Sequence, residues 1–210
     1  MNFKNLLCSA LGLAVAATAL PASAQEQGPL EEIVVTSAKR EQTLQEIPVA
    51  VSVVQADELR KSQVLDVKDL QFLVPSLRVG QLQSSGNTNF FIRGFGNGAN
   101  NAGIEPSVGV FIDGVYRSRS ASALNDFPNL ERIEVLRGPQ STLFGKNASA
   151  GVISVVTAKP SLDETTGSAS VTVGDYSQFI VQGDINGPLS DTVGFGLSAS
   201  FNQRDGYYEN

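Results

Sequence analysis

Val193, Phe195, Leu197, Ala199 and Phe201 alternate with Gly194, Gly196, Ser198, Ser200 and Asn202 without a break. Successive side chains of a strand point to opposite faces, so this segment carries one apolar face and one small, polar face. Its length matches the roughly nine to eleven residues with which a tilted strand crosses a bilayer. Two earlier segments share the texture. Ala169, Val171 and Val173 are separated by Ser170 and Thr172, while Phe179, Val181 and Ile185 alternate with Gln178, Gln182 and Asp184, with Ile180 out of step. Short turns, GDYS and NGPLSDT, join the three. The pattern fits either a soluble β-meander or membrane strands with lipid on one side and water on the other. Tyr207 and Tyr208 follow the third strand, where an interfacial aromatic girdle would lie.

The N-terminus favours the membrane. Residues 1–24 hold one cation, Lys4, then an apolar run, then Ala22-Ser23-Ala24. This is the form of a secretory signal cleaved before Gln25. Its apolar core is shorter than the roughly 20 residues of a spanning helix. Cys8, inside that leader, is the chain's one cysteine, and His and Trp are absent. The exported part therefore has no disulfide framework, no zinc site of the usual Cys/His kind and no histidine for catalysis, and no cofactor is expected. Without the leader, 14 bases face 21 acids, a formal charge of −7, which makes nucleic acid a poor partner. Three strands do not close a barrel, and open edges are not tolerated in lipid. The 210 residues are thus expected to be the front of a longer chain or a truncated product.

Residues 41–160 read as one α/β domain. Val49, Val51 and Val53 alternate across a strand from Ile47 to Val54. ADELR follows as a short helix with acids in its first turn. Asp66 suits the N-cap of a second helix over VKDLQFLV, which Pro75 ends. LRVGQLQ and TNFFIRGFG are extended, and GFGNGANNAG is a long flexible loop. VGVFIDGVY is a hairpin closed by Asp113-Gly114 in a two-residue type I′ turn. RIEVLRG and GVISVVT are strands bracketing PQSTLFGKNASA, and SLDETTG is a polar linker. Two glycine motifs imitate nucleotide sites. Gly94, Gly96 and Ala99 fit a dinucleotide fingerprint, but NNAGIEPS cannot open the helix it needs. Six residues, not four, separate Gly138 from Gly145, and Asn147 stands where a phosphate loop has Ser or Thr. Asp113 is explained by its turn.

EEIVVTSAKR, FFIRGFG, VGVFIDGVY and LERIEVLRGPQSTLFGKNASAGVISVVTAKP occur in one order. Together they resemble TonB-dependent outer-membrane receptors over essentially all of the exported sequence. The resemblance implies an α/β plug domain, a small mixed sheet with short helices, followed by the first antiparallel strands of a transmembrane β-barrel, here truncated. In the family the plug sits inside a barrel of about 22 strands. The implied division is a leader over 1–24, a periplasmic segment over 25–40, the plug over 41–160, and a linker with three strands over 161–210. The implied function is active transport of a scarce small-molecule or metal-chelate ligand, such as a ferric siderophore, across the Gram-negative outer membrane. TonB in the periplasm would supply the drive, and no enzyme activity is expected. Since only Gln25 to Leu30 precede the box, no signalling domain is expected either.

By the same resemblance Ile33, Val34, Val35, Thr36 and Ser37 form the TonB box. A β-branched segment among polar neighbours suits that role, because it can add a strand to a partner's sheet edge. The alternative is a first strand of the plug sheet. Arg93, Glu134 and Arg137 match a charged cluster between plug and barrel wall, the alternative being ordinary solvated strand charges. The glycine-rich loop from Gly94 is expected on the ligand side, the alternative being a plain flexible connection. The rival to a transporter is a soluble periplasmic plug-like binding module from a truncated receptor.

Overall fold

The computed structural model describes residues 34–35, 42–45, 47–62, 64, 67–81, 88–97, 103–119 and 129–206, all within one compact unit, Ile33–Asn210. Strand β1 (Val34–Val35) pairs antiparallel with β2 (Gln42–Thr43) in a small ribbon. Next come β3 (Ala50–Gln55), helix α1 (Ala56–Lys61) and helix α2 (Leu70–Leu73). A second ribbon follows, β4 (Leu77–Gln81) with β5 (Thr88–Ile92). Strands β6 (Val108–Ile112), β7 (Val115–Arg117), β8 (Leu130–Arg137) and β9 (Gly151–Thr157) join β3 in a five-stranded sheet of order β3-β8-β9-β6-β7. Only the β6–β9 pairing in it is parallel, so the sheet is mixed.

Both faces of this sheet are covered. Val54, Ile133, Val135, Ile153 and Val110 pack beneath Leu59 of α1, Leu70 of α2, and Leu77, Phe90 and Ile92 of the β4–β5 ribbon. The other face carries Leu136, Val152 and Phe111 beneath Ala148 and Phe144. The Phe144 ring meets Phe111 edge-on at 5.0 Å. A sheet buried on both sides has no clean period-two pattern. That is why Val54, outside the alternating set of Val49, Val51 and Val53, is the core residue of β3.

Two boundaries differ from expectation. β3 starts at Ala50, since Pro48 has no N–H to give a ladder. The helix expected from Asp66 is a single turn from Leu70, and Asp66 itself lies outside the described residues. Its end is as expected: Val74 is extended (φ −118°, ψ 91°), as the residue before a proline must be.

The β6–β7 turn is type I′, with Asp113 at φ 49° and Gly114 at φ 78°. The Asp113 carboxylate also accepts hydrogen bonds from the Thr157 N–H and hydroxyl, both at 2.9 Å, which tie the hairpin to the end of β9. Asp113→Ala removes both bonds and puts a β-carbon at positive φ without a polar side chain. The expected loss is about 1–3 kcal/mol. A urea midpoint unchanged by Asp113→Ala would contradict it, and Asp113→Asn should keep most of the stability.

The last sheet consists of β10 (Thr166–Gly174), β11 (Gln178–Ser190) and β12 (Val193–Gln203), all antiparallel. Register aligns the faces. Val171, Val181 and Phe201 form one cross-strand row, and Ser170, Gln182 and Ser200 the next. The apolar face is open, with Val173 76% and Leu197 69% exposed. Ile180, out of step in the sequence, turns to the polar face and is buried. β10 begins at Thr166, earlier than the alternation suggested, and β11 runs on to Ser190, leaving Asp191-Thr192 as the turn. A register shift between Pro188 and Ser190 accommodates the proline. Tyr207 and Tyr208 lie outside the described residues. No helix among the described residues is long and apolar enough to cross a membrane, which leaves crossing by strands untouched.

Candidate functional site

Of the five residues expected to form the TonB box, Val34 and Val35 are described, and Ile33, Thr36 and Ser37 are not. Val34 pairs with Thr43 and Val35 with Gln42. The segment was expected free for a partner, yet Val35 is fully buried. It belongs to the ribbon with β2 and not to the five-stranded sheet. The physical reason is symmetrical: a β-branched strand fit to add to another chain's sheet is equally fit to pair within its own.

The three expected cluster charges are not brought together. Glu134 and Arg137 are three residues apart on β8 and so point to opposite faces. Glu134 is fully buried on the face of Leu136, where Arg132 Nε donates to its Oε1 at 2.8 Å. Arg132 also pairs with Glu131. The sequence reading passed over Arg132, although its spacing of two from Glu134 puts both on one face of a strand. Arg137 lies on the helix-bearing face, and its guanidinium reaches the Ala50 and Val51 carbonyls at 3.4 Å. Arg93 is exposed in a turn at φ 53° that follows β5. Gly151, the register partner of Arg137, has Ile92 packed over it: a β-carbon there would sit 2.6 Å from Ile92 Cδ1. Ile92, the neighbour of Arg93, thus packs over the register partner of Arg137, while Glu134 points to the opposite face of the sheet.

The glycine-rich loop is held at its base. The Asn97 amide donates to the Glu105 carbonyl and accepts the Ser107 hydroxyl. Residues 98–102 lie outside the described residues. Lys146 meets Glu105 at 2.7 Å, and that hydrogen bond, then the charge, raises the Lys146 pKa above its ordinary 10.5. On α1, the hydrogen bond from Arg60 lowers the Asp57 pKa below 3.8. A raised lysine stabilises until pH climbs through its folded pKa, and a lowered carboxylate stabilises until pH falls through its own. Both windows lie far from neutrality, so neither pair is a physiological pH switch.

A cavity of about 660 Å³ opens between α1 and the polar face of β10–β11. Its floor includes Leu59, Val64, Val67 and Ile133, and its roof Ser168, Ser170, Thr172, Gln182 and Asp184. No group of three or more His, Cys, Asp or Glu among the described residues is placed to hold a metal ion.

This architecture has relatives. Residues 43–152 match the family model described as the TonB-dependent receptor plug domain, and the chain belongs to the TonB-dependent receptor family. That is a family of receptors, not of enzymes. The chain is 32% identical over 164 residues to the vitamin B12 transporter of Vibrio vulnificus, covering 74% of this chain and 26% of the relative. It is 31% identical to the iron-regulated outer membrane virulence protein of Vibrio cholerae, covering 93% and 31% respectively. The crystal structure of the ferric yersiniabactin uptake receptor from Yersinia pestis superposes with a TM-score of 0.62 at 27% identity, over 68% of this chain and 22% of that one. The chain spans between a quarter and a third of the length of these curated relatives.

Proposed function

We propose that these residues are the gated front end of an active transporter in the Gram-negative outer membrane. The plug, over about 41–160, blocks a barrel whose first strands are β10–β12. TonB, gripping Ile33 to Ser37 from the periplasm, supplies the pull that rearranges it. One observation carries the reading: a plug domain is followed directly by three strands whose apolar face is open and whose polar face looks onto the plug. A soluble plug-like module would leave that apolar face in water, where contiguous patches of such size are disfavoured. The relatives' names point to a scarce metal chelate or vitamin as cargo, with a ferric siderophore the leading class. Arg93 and Arg137 are proposed as the cations that meet the barrel wall.

The test is recovery of the gene product from an outer-membrane fraction. A heat-modifiable protein several times the mass of this chain supports the reading. A stable product in the periplasm no larger than the 22.2 kDa of this chain would replace the transporter by the soluble module.

A further inference from the structure

Residues 158–165 join the last plug strand to β10, and their polar composition suits a slack linker. The structure holds them instead. Just before them, Thr157 donates two hydrogen bonds to the Asp113 carboxylate. The Ala158 N–H donates to the Asn129 carbonyl at 3.0 Å, and the Asn129 amide donates back to the Ala158 carbonyl at 3.3 Å. The Ser161 hydroxyl accepts the N–H groups of Asp163 and Glu164 at 3.1 and 3.3 Å, which closes a local turn.

The strands are shaped to receive this segment. Gly194 alternates with Val193 and Phe195 and so faces the polar side of β12. A β-carbon there would sit 3.1 Å from Pro160 Cβ and 3.3 Å from Leu162 Cδ2. On β11, a β-carbon on Gly187 would sit 2.6 Å from Thr165 Oγ1 and 2.9 Å from its Cα. Neither glycine lies in the left-handed region of φ, so backbone conformation does not call for glycine at either position. The close approach of the linker does. A slack segment of these eight residues would reach about 28 Å, enough for the plug to shift as a body. A seated segment allows no such travel.

We propose that residues 158–165 are a strut and not a tether: seated on Gly194, they hold the plug's exit against β11–β12 throughout a transport cycle, and Gly194 is the positioning residue of that joint. The cycle in this statement rests on the transporter reading; the seat does not.

The test uses the complete receptor in the outer membrane, with Leu162→Cys and Gly194→Cys as its only cysteines, since the exported part of this chain has none. The shorter side chain at 162 makes room for the new one at 194, and a short bis-methanethiosulfonate bridges the two thiols. The bridge is expected to form without ligand or energy, and the bridged receptor should take up ligand as fast as the same variant unbridged. Failure to bridge means that the segment is not seated. Uptake that stops on bridging and returns on reduction means that the segment leaves its seat in each cycle. Either result overturns the proposal. Gly194→Val approaches the seat from the other side, because its branched side chain displaces Pro160 and Leu162 and lets a pull at the N-terminus move the whole plug. The probe is vancomycin, a hydrophilic antibiotic that an intact outer membrane excludes. With ligand present, it should enter about tenfold faster in cells with TonB and at the wild-type rate in cells without it. A leak equal in both strains gives Gly194 a merely structural role and overturns the assignment, as does the absence of any leak. Failure of the transporter reading shows itself separately: the unbridged receptor then has no energised uptake, while bridging still reports the seat.

Discussion

A receptor carrying Val35→Pro is expected to bind its ligand normally and to lose energised uptake. The argument is about main-chain hydrogen bonds. A segment that hands itself to a partner by strand addition is gripped through its N–H and C=O groups. Proline removes one donor and fixes φ near −65°, which spoils a strand in any ladder it joins. Val35 is already paired with Gln42 and fully buried, so on the proposed reading the resting ribbon opens before the segment joins a partner. Proline there weakens the ribbon and the engaged strand alike. The two effects differ in readout: loosening the ribbon alone leaves uptake possible, whereas loss of the engaged strand abolishes it. Uptake and binding measured side by side decide the matter, and full uptake in the mutant would remove Ile33 to Ser37 from the mechanism.

Arg132→Met is expected to destabilise the plug by about 3–5 kcal/mol, the usual result of removing one partner from a buried ion pair. Glu134 is fully buried and Arg132 nearly so, with 2.8 Å between Nε and Oε1. Methionine keeps much of the volume, so the loss reports the carboxylate left without its guanidinium. The double change Arg132→Met with Glu134→Leu should recover most of it, because neither charge is then desolvated. Urea denaturation of the full chain, followed by circular dichroism, measures both. A single mutant as stable as the wild type would mean that Glu134 is held by groups other than Arg132.

Much of the fold was legible from residue order. Strand texture over 169–173, 178–185 and 193–202, the type I′ turn at Asp113-Gly114 and the stop at Pro75 all follow from local rules: side-chain alternation, positive φ and the missing proline N–H. The charged cluster was less legible. Arg93, Glu134 and Arg137 stand close to family motifs, but period-two geometry already separates Glu134 from Arg137 and puts Arg132, which pairs with Glu134, on the same face as it.

What the sequence by itself determined is therefore local and periodic: which segments are strands, where they turn, and which face of β10–β12 is apolar. Only the tertiary structure decided what lies against what. It buried Val35 in a ribbon, set Ile180 on the polar face under cover, placed Val54 in the core, and opened a cavity between α1 and β10–β11. The physical reason is that alternation specifies a direction for each side chain, not the layer that meets it. Burial on both faces of a sheet, and pairing between distant segments, arise only when the chain closes on itself.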